Sequence, residues 1–458
     1  MKKIMIVLAV LAAISAVCLF AFHKNEPEKT VKAEKTEEIR HPEKIAESKE
    51  EAEEDEDAIE TENYDIVIVG AGMAGLSAAY QLSHIDKNLK ILILEKESHL
   101  GGRIYNRKTD DFTYSLGPCF GYHQMMLPTE LKGKHKIVFQ NAPKGVYYND
   151  RLSLKDYSKQ AFDELTEGKM SLSAHKFLNF TVHFEGMENV EQNKFYKPDG
   201  YFYDFDLISF YESLFAEKTS LESTVLSVKS KGDNATVVYM KDGRKFKTSA
   251  KAVIVATPAG VAKKIIRNLP ENTQKFLNSV KYSKTKILSL VYKKADDLVP
   301  FSYINMEPKY DFWKVDRYFL NNQSYAFYTV YSDKLIDSND EDFLVKSLNF
   351  LNKIGIGSFT QENIVKYEIV LWDKLVTNHC EDNSNDCEMS FVSRLDICDG
   401  AVDKCINNPV DRIFLAGDYA LLYGGVFSAW LSGRNAANRA GRSLGFKTDS
   451  SDISIKKK

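Results

Sequence analysis

The residues with the clearest chemical potential are three closely spaced glycines near the start of a long folded region. Gly70, Gly72 and Gly75 follow the β-branched run 64–69 and precede the apolar, helix-forming segment 76–82. In such a turn the first glycine permits a tight reversal, the second lets the backbone approach a pyrophosphate, and the third lets helix and strand pack closely. The pyrophosphate would lie at the positive end of the helix. The pattern therefore predicts that this turn binds a dinucleotide.

An acidic residue stands where the ribose of a dinucleotide would need it. Glu95 ends a second apolar run, residues 91–94, and follows Gly75 by 20 residues. At this offset a carboxylate can accept hydrogen bonds from the ribose hydroxyls. Strand, turn, helix, second strand and acid together predict a Rossmann-type fold. The dinucleotide-binding residues expected here are Gly70, Ala71, Gly72, Met73, Ala74, Gly75, Glu95 and Lys96.

The residues just downstream indicate which dinucleotide is bound. Gly101-Gly102-Arg103 follows Glu95 closely, and this arrangement resembles the extended fingerprint of the flavin amine oxidase superfamily, which includes amine oxidases, protoporphyrinogen oxidases and carotenoid desaturases. The resemblance implies FAD, with Gly102 and Arg103 along its pyrophosphate. An arginine suits that position because its fork can pair phosphate oxygens bidentately. No cysteine occupies the position used for covalent flavin attachment, so the resemblance implies non-covalent FAD.

Further segments carry the same resemblance across most of the chain. Residues 111–118 resemble the stretch beside the flavin, 223–228 the strand that meets the adenine, and 252–258 the family's returning strand. Residues 412–418 resemble its closing Gly-Asp motif, and a helix from about Val426 to Leu444 would point its N-terminus at the flavin. The resemblance implies further FAD-binding residues: Gly117, Pro118, Val225, Thr257, Gly417, Asp418, Gly425 and Val426.

These elements predict an α/β fold class, namely a Rossmann-type FAD-binding domain with an inserted α+β substrate (cap) domain. A chain of 458 residues that is 44% hydrophobic can fill two cores. The resemblance implies that the cap is built on an antiparallel sheet over the flavin. The predicted regions are a leader (1–23), an acidic disordered linker (24–62), the FAD-binding domain (63–118, 216–285 and 406–446), the cap domain (119–215 and 286–405) and a polar tail (447–458).

The catalytic residues are less well marked than the cofactor residues. Many amine oxidases keep a cap-strand lysine that is linked through water to the flavin N5, and Lys286 lies about where that lysine falls. The alternative is an ordinary solvent-facing strand lysine. Gly425 stands where amine oxidases often have a tyrosine of their aromatic cage, and Ser428 replaces a family glycine. These departures weaken the resemblance to an amine oxidase without weakening the resemblance to an FAD oxidoreductase.

Three functions follow for the predicted FAD protein. The leading one is an oxidoreductase that transfers hydride from a small-molecule substrate, favoured to be an amine, to flavin N5, with reoxidation by oxygen or another acceptor. A second is a reaction like that of desaturases or protoporphyrinogen oxidases on a lipophilic substrate. A third is a non-catalytic surface scaffold that retains FAD.

The N-terminal segments predict export and a membrane tether. Lys2 and Lys3 precede the apolar run 4–22, which at about 1.5 Å per residue just spans a bilayer core of roughly 30 Å. The leading positive charge favours a cytoplasmic N-terminus and a catalytic part on the periplasmic or extracellular face. The run could be retained as an anchor, cleaved as a signal peptide, or lipidated at Cys18.

Charge distribution excludes one class of partner. Residues 24–62 carry 7 Lys/Arg and 16 Asp/Glu, so the acid is concentrated in the linker. The rest of the chain has a mild positive surplus with no basic cluster, which predicts no nucleic-acid binding.

Four cysteines form a group late in the chain. They are separated by six, ten and six residues, and an exported protein would use them as two disulfides. Local pairing is favoured over nested pairing, and no metal site is expected because the intervals exceed those of zinc knuckles. The four cysteines are Cys380, Cys387, Cys398 and Cys405.

Overall fold

The computed structural model describes the chain in segments that all belong to the compact unit Ile39–Lys458. The leader, most of the acidic linker, Pro118 and the cysteines 380 and 387 lie outside the described residues. The described residues are 58–117, 120–121, 128, 130–131, 145–154, 202–203, 205–293, 298–299, 301, 303–307, 309–318, 325–375, 377–378, 397–399, 402–420 and 425–448.

The strands are numbered along the chain. They are β1 (Ile59–Glu60), β2 (Tyr64–Val69), β3 (Ile91–Leu94), β4 (Asn106–Lys108), β5 (Thr113–Ser115), β6 (Phe120–Gly121), β7 (Gly145–Tyr148), β8 (Arg151–Ser153), β9 (Phe202–Tyr203), β10 (Thr219–Ser220), β11 (Thr224–Lys231), β12 (Asn234–Lys241), β13 (Arg244–Val255), β14 (Lys281–Tyr282), β15 (Thr285–Lys293), β16 (Tyr303–Met306), β17 (Lys314–Tyr318), β18 (Tyr325–Ser332), β19 (Ile364–Trp372), β20 (Thr377–Asn378) and β21 (Ile413–Leu415).

The α-helices are numbered in the same way. They are α1 (Met73–Ile85), α2 (Phe205–Phe215), α3 (Ala259–Ile265), α4 (Glu271–Ser279), α5 (Asp340–Lys353), α6 (Asp403–Ile406) and α7 (Val426–Ser443). Short 3-10 turns lie at Ala216–Lys218, Gln361–Asn363 and Asp418–Ala420.

The first sheet has the order β10-β3-β2-β13-β12-β11, with β1 and β21 also paired to β13. The β-branched strand β2 lies between β3 and β13 in parallel pairing, and its last four residues are buried. Strand β13 is long enough to make an antiparallel hairpin with β12 and then run parallel to β2 and β21. The hairpin turns at Asp242 and Gly243, and both residues have positive φ. This sheet confirms the Rossmann-type half of the predicted fold.

The second sheet has the order β19-β15-β18-β17-β16-β7-β8 and is antiparallel apart from the β16–β7 pair. Helix α5 packs on one face through Phe343, Leu348 and Leu351. The opposite face packs Ile287 and Trp372 against residues of β5 and the loop that follows it. This mixed second layer confirms the predicted α+β character of the cap, and its bounds as a domain stay a prediction.

Helices α1 and α7 cross closely over the first sheet. A Cβ atom on Gly433 would lie 2.0 Å from the Ala74 carbonyl oxygen, so the crossing requires a glycine. Ser77 Oγ donates to the Trp430 carbonyl at 2.7 Å and further fixes the pair. The two helices that the sequence assigns to the cofactor are thus held together by direct contacts.

Two features at the edges of this fold bear on the N-terminal and cysteine predictions. Strand β1 lies within the segment predicted to be a disordered linker, and its Ile59 pairs with Phe246 of β13.

Cys398 and Cys405 form a disulfide, one of the two local pairs that the spacing favours. No helix among the described residues is long and apolar enough to cross a membrane.

Candidate functional site

The glycine-rich turn leaves no room for side chains at two of its three glycines. Gly70 has φ +101°, and a Cβ there would lie 2.8 Å from the Ala256 carbonyl oxygen. A Cβ on Gly75 would lie 1.9 Å from the Gly70 carbonyl oxygen. The turn therefore brings the start of α1 directly against the end of β13, where Thr257 follows.

Gly72 serves a different purpose, because nothing lies within 4 Å of a Cβ added there. The second glycine pair lies beside it. Gly101 N–H donates to the Ala71 carbonyl at 2.9 Å, and a Cβ on Gly102 would lie 3.2 Å from Gly72 Cα. The two motifs thus form one surface with little side-chain cover, where a phosphate group can approach the backbone.

Glu95 is buried beside this surface and is oriented by the backbone. Its Oε2 accepts from Ala71 N–H at 2.6 Å, and its Oε1 accepts from Glu97 N–H at 3.0 Å. Burial raises the pKa of Glu95 above its usual value, and the two backbone hydrogen bonds oppose that rise. Ser223 N–H donates to the Glu95 carbonyl at 2.7 Å, which brings the start of β11, with Val225, to the acid.

The raised pKa of Glu95 predicts opposite pH responses for folding and for cofactor binding. Burial favours the protonated carboxyl of Glu95 in the folded protein. Its contribution to the free energy of unfolding is therefore complete below about pH 4.3 and is lost as the pH rises through the pKa of the folded state. FAD should bind more tightly over the same rise, because ribose hydroxyls donate to the ionised form. Urea unfolding of the apoprotein and FAD titration across this pH range measure the two responses. The Glu95→Gln variant should show neither pH dependence. If stability and FAD affinity change with pH equally in the wild type and the variant, the assignment to Glu95 is contradicted.

Arg103 and Asp418 form an ion pair at the other end of the surface. Arg103 Nη1 lies 2.9 Å from Asp418 Oδ2 and also donates to the Leu375 carbonyl at 2.8 Å. Asp418 is buried, and its charge raises the pKa of Arg103 against the opposing effect of burial. Among the described residues, Asp418 Oδ1 and Thr257 Oγ1 are buried without a hydrogen-bond partner. A bound ligand is one way in which buried polar atoms of this kind are satisfied.

Comparison with known proteins identifies the family. The model of the NAD(P)-binding Rossmann-like domain matches residues 68–121. The model of flavin containing amine oxidoreductase matches residues 209–440, just over half of the chain. The chain belongs to the flavin-containing amine oxidoreductase family. Membership confirms FAD as the predicted cofactor.

Curated relatives match over short stretches. A probable flavin-containing monoamine oxidase A of Dictyostelium discoideum is 32% identical over 103 residues, which is 20% of this chain and 22% of that protein. An L-amino acid oxidase of Crotalus durissus cumanensis is 44% identical over 73 residues, 16% of this chain and 12% of the relative. The matched stretches thus span less than a quarter of either relative.

Solved structures of the family share the fold over most of the chain. Cyclohexylamine oxidase from Brevibacterium oxydans aligns with a TM-score of 0.60 and 12% identity, covering 84% of this chain and 100% of that one. A putative protoporphyrinogen oxidase from Exiguobacterium sp. aligns with a TM-score of 0.57 and 13% identity, covering 83% and 98%. At these identities the likeness concerns the fold alone.

The residues present fit the FAD that this family binds. Helices α1 and α7 begin at Met73 and Val426, directly after Gly72 and Gly425, and neither glycine places a capping side chain at its helix N-terminus. The partial positive charge of each N-terminus suits negative charge on a ligand. The unpartnered Asp418 Oδ1 and the open space at Gly72 suit the ribitol-pyrophosphate region of the cofactor.

Several other predicted residues have distinct placements. Met73, Ala74 and Val426 are buried in the first turns of α1 and α7. Lys96 points outward to Glu97 at 3.1 Å, which does not support a cofactor contact for its side chain. Gly117 lies against Arg103, since a Cβ there would be 2.1 Å from the Arg103 carbonyl oxygen.

The structure does not bring Lys286 to this site. Its Nζ donates to the Ser338 carbonyl and lies 2.9 Å from Asp340 Oδ1, at the start of α5. Its neighbour on β15, Ile287, points to the opposite face, which packs against Tyr114. Because side chains alternate along a strand, Lys286 occupies the helix-covered face of the cap sheet and acts there as a structural ion-pair residue.

Replacing Lys286 by methionine should therefore affect folding and spare the cofactor. We expect a loss of about 1–2 kcal/mol in the free energy of unfolding, since the Ser338 carbonyl and the half-exposed Asp340 carboxylate lose their buried ammonium partner. The FAD dissociation constant and flavin spectrum should match those of the wild type. Urea unfolding and FAD titration check this, and an altered spectrum with unchanged stability would place Lys286 at the flavin.

Sequence reasoning missed residues that hold the predicted ones in place. Ser432 Oγ accepts from Gly417 N–H at 2.9 Å, which fixes the backbone just before Asp418. The ring of Tyr282 lies 5.7 Å from the Arg103 guanidinium, and its hydroxyl accepts from Ala259 N–H at 3.0 Å. For Ser432, the available sequence signal was a serine on the inward face of a cofactor helix. No sequence signal indicated the role of Tyr282.

Proposed function

We propose that this protein is an FAD-dependent oxidoreductase whose substrate is an amine. The observation that carries the proposal is the buried Asp418–Arg103 pair beside the glycine surface, with one carboxylate oxygen left for a ligand. When bound, FAD accepts hydride from the substrate and passes the electrons to oxygen or another acceptor.

The protein residues bind and orient the cofactor. Glu95 presents a carboxylate that two backbone N–H groups hold in one orientation, ready to accept from ribose hydroxyls. Arg103 uses few of its N–H donors on protein, so others remain for phosphate oxygens. The N-termini of α1 and α7 add partial positive charge without a mobile side chain.

The substrate class rests on the relatives. Relatives named for monoamines, L-amino acids and cyclohexylamine favour an amine. A lipophilic substrate is the second candidate, because a structural neighbour is a putative protoporphyrinogen oxidase.

Product analysis separates these candidates. The purified full-length protein is incubated aerobically with primary amines, polyamines and L-amino acids, and hydrogen peroxide and carbonyl products are measured. We expect a carbonyl product with at least one amine, accompanied by peroxide if oxygen is the acceptor. Absence of product from every amine, together with a new C=C bond in a porphyrinogen or polyene, would overturn the amine proposal and support the second candidate.

We also propose that the catalytic part is exported and tethered to a membrane by residues 1–23. The apolar run behind Lys2 and Lys3 and the disulfide at Cys398–Cys405 support this location. Expressed in its host, the protein should remain in membranes after alkaline carbonate washing and be digested by protease added to intact spheroplasts. Recovery in the soluble cytosolic fraction would refute the proposal.

A further inference from the structure

Three consecutive residues beside the FAD-binding motifs are each held by a different side chain of the cap sheet. The Tyr114 hydroxyl donates to Glu368, Ser289 Oγ donates to the Ser115 carbonyl at 2.5 Å, and Trp372 Nε1 donates to the Leu116 carbonyl at 2.8 Å. All three bonds are buried. We call Ser289, Glu368 and Trp372 the cap clamp.

The cap clamp is a property of the sheet register. Ser289 of β15 pairs directly with Glu368 of β19, and Trp372 lies four residues further along β19. Even spacing along a strand places side chains on one face, so all three point to the same side. That side is opposite to the one covered by α5, and it faces β5.

Glu368 also contacts an arginine on β4, the strand that pairs with β5. Arg107 Nε on β4 lies 3.4 Å from Glu368 Oε2, and β4 pairs with β5. Burial and the hydrogen bond to Glu368 raise the pKa of Tyr114, so its hydroxyl stays protonated and acts as the donor. The carboxylate thus ties both strands of the β4–β5 hairpin to the cap sheet.

The clamped segment leads straight to the cofactor residues. Gly117 follows Leu116, and its Cα lies so close to the Arg103 backbone that a Cβ would be 2.1 Å from the Arg103 carbonyl oxygen. Leu116 N–H also donates to the Tyr105 carbonyl at 2.8 Å. A displacement of residues 114–116 would therefore move the backbone of Arg103, whose guanidinium pairs with Asp418.

We propose that Ser289, Glu368 and Trp372 are positioning residues that set the affinity for FAD, and the flavin's environment, by holding residues 114–117 against Arg103. None of the three needs to touch the cofactor. The inference rests on the proposed FAD binding, and it assigns the cap sheet a role in the cofactor site as well as over the substrate.

The test measures FAD binding to the apoprotein of four full-length variants by flavin fluorescence quenching. Trp372→Phe removes the N–H donor and keeps a smaller aromatic ring, Ser289→Ala removes one hydroxyl, and Glu368→Gln keeps an acceptor for Tyr114 while removing the charge that faces Arg107. Tyr292→Phe is the matched control. Tyr292 lies on β15, its side chain points to the α5 face, and the substitution removes two part-buried hydrogen bonds, one to the Ser358 carbonyl and one from the Thr360 N–H.

Ser289→Ala and Trp372→Phe should each raise the FAD dissociation constant by about fivefold, the worth of one net hydrogen bond. Glu368→Gln keeps the bond from Tyr114 and weakens only the ion pair with Arg107, so it should raise the constant by about twofold. Each clamp variant should also shift the flavin absorption band and the reduction potential. Tyr292→Phe should lower thermal stability and leave the FAD dissociation constant, the flavin absorption band and the reduction potential unchanged. The proposal is overturned if clamp variants bind FAD like the wild type while losing stability like the control. If Trp372→Phe does not fold, Ser289→Ala decides. Failure of the wild type to bind FAD would instead refute the proposed function and the clamp together.

Discussion

Replacing Gly72 by alanine should abolish tight FAD binding while leaving the apoprotein at least as stable as the wild type. Gly72 has φ −72°, which alanine adopts freely, and nothing within 4 Å would meet the new methyl group. Alanine at such a position stabilises a fold by about 0.4–1 kcal/mol, because it restricts the unfolded chain. The same methyl group occupies the surface where a pyrophosphate must approach, so we expect FAD affinity to fall roughly 100-fold.

Gly75→Ala is the matched comparison for this variant. Its methyl group would meet the Gly70 carbonyl oxygen at 1.9 Å, so we expect that variant to lose folding stability and FAD binding together. Urea unfolding of the apoproteins and FAD titration give both quantities. A Gly72→Ala variant that binds FAD normally would show that the turn does not hold the cofactor.

Replacing Asp418 by alanine should have the second large effect, on both cofactor and stability. The variant leaves Arg103 without its carboxylate partner and removes the oxygen that is free for a ligand. Breaking a fully buried pair costs about 3–5 kcal/mol, and we expect about 1–3 kcal/mol here because the Arg103 side chain is 27% exposed. FAD affinity should fall by about 100-fold or more, since a charged hydrogen-bonding group is lost from the site.

The cap sheet offers a matched control for the Asp418 variant. Asp316 and Lys314 form a comparable pair, with side chains 2% and 18% exposed and the atoms 2.9 Å apart. Asp316→Ala should lose similar stability and keep FAD affinity. Equal FAD loss in both variants would mean that Asp418 acts only through general stability.

The FAD half of the site was predictable because its signals are local. Gly70, Gly75 and Glu95 belong to one strand-turn-helix-strand unit, whose geometry follows from backbone sterics and close packing within about 30 residues. Asp418 lies far away in sequence, yet its strand-Gly-Asp pattern and following helix identified it through the family resemblance. In the structure its Oδ2 lies 2.9 Å from Arg103 Nη1.

The role of Lys286 could not be read from the sequence. Every residue of β15 from Thr285 to Tyr292 is buried, so no alternation of polar and apolar residues reveals which face points to the flavin. The face of the cap sheet to which each side chain of β15 points depends on the register of β15 with β18 and β19, which are distant in sequence. The resemblance assigned Lys286 to a cap strand, and in the structure its side chain points to α5.

The cap clamp and strand β1 illustrate two further limits. Glu368 and Trp372 lie about 250 residues from the partners they hold, and only the paired register of two sheets makes them neighbours. Strand β1 sits in a segment whose acidic composition is typical of disorder, yet its backbone pairs with the edge left open beside the β12–β13 hairpin.

Anaerobic addition of amines to the purified full-length protein tests the central claim most directly. We expect a visible flavin band in the protein as purified or after adding FAD, and bleaching of that band by at least one amine before oxygen is admitted. Absence of a flavin band under both conditions would contradict the assignment of FAD as the cofactor. A band that no amine bleaches would contradict the proposed substrate class and leave the FAD site standing.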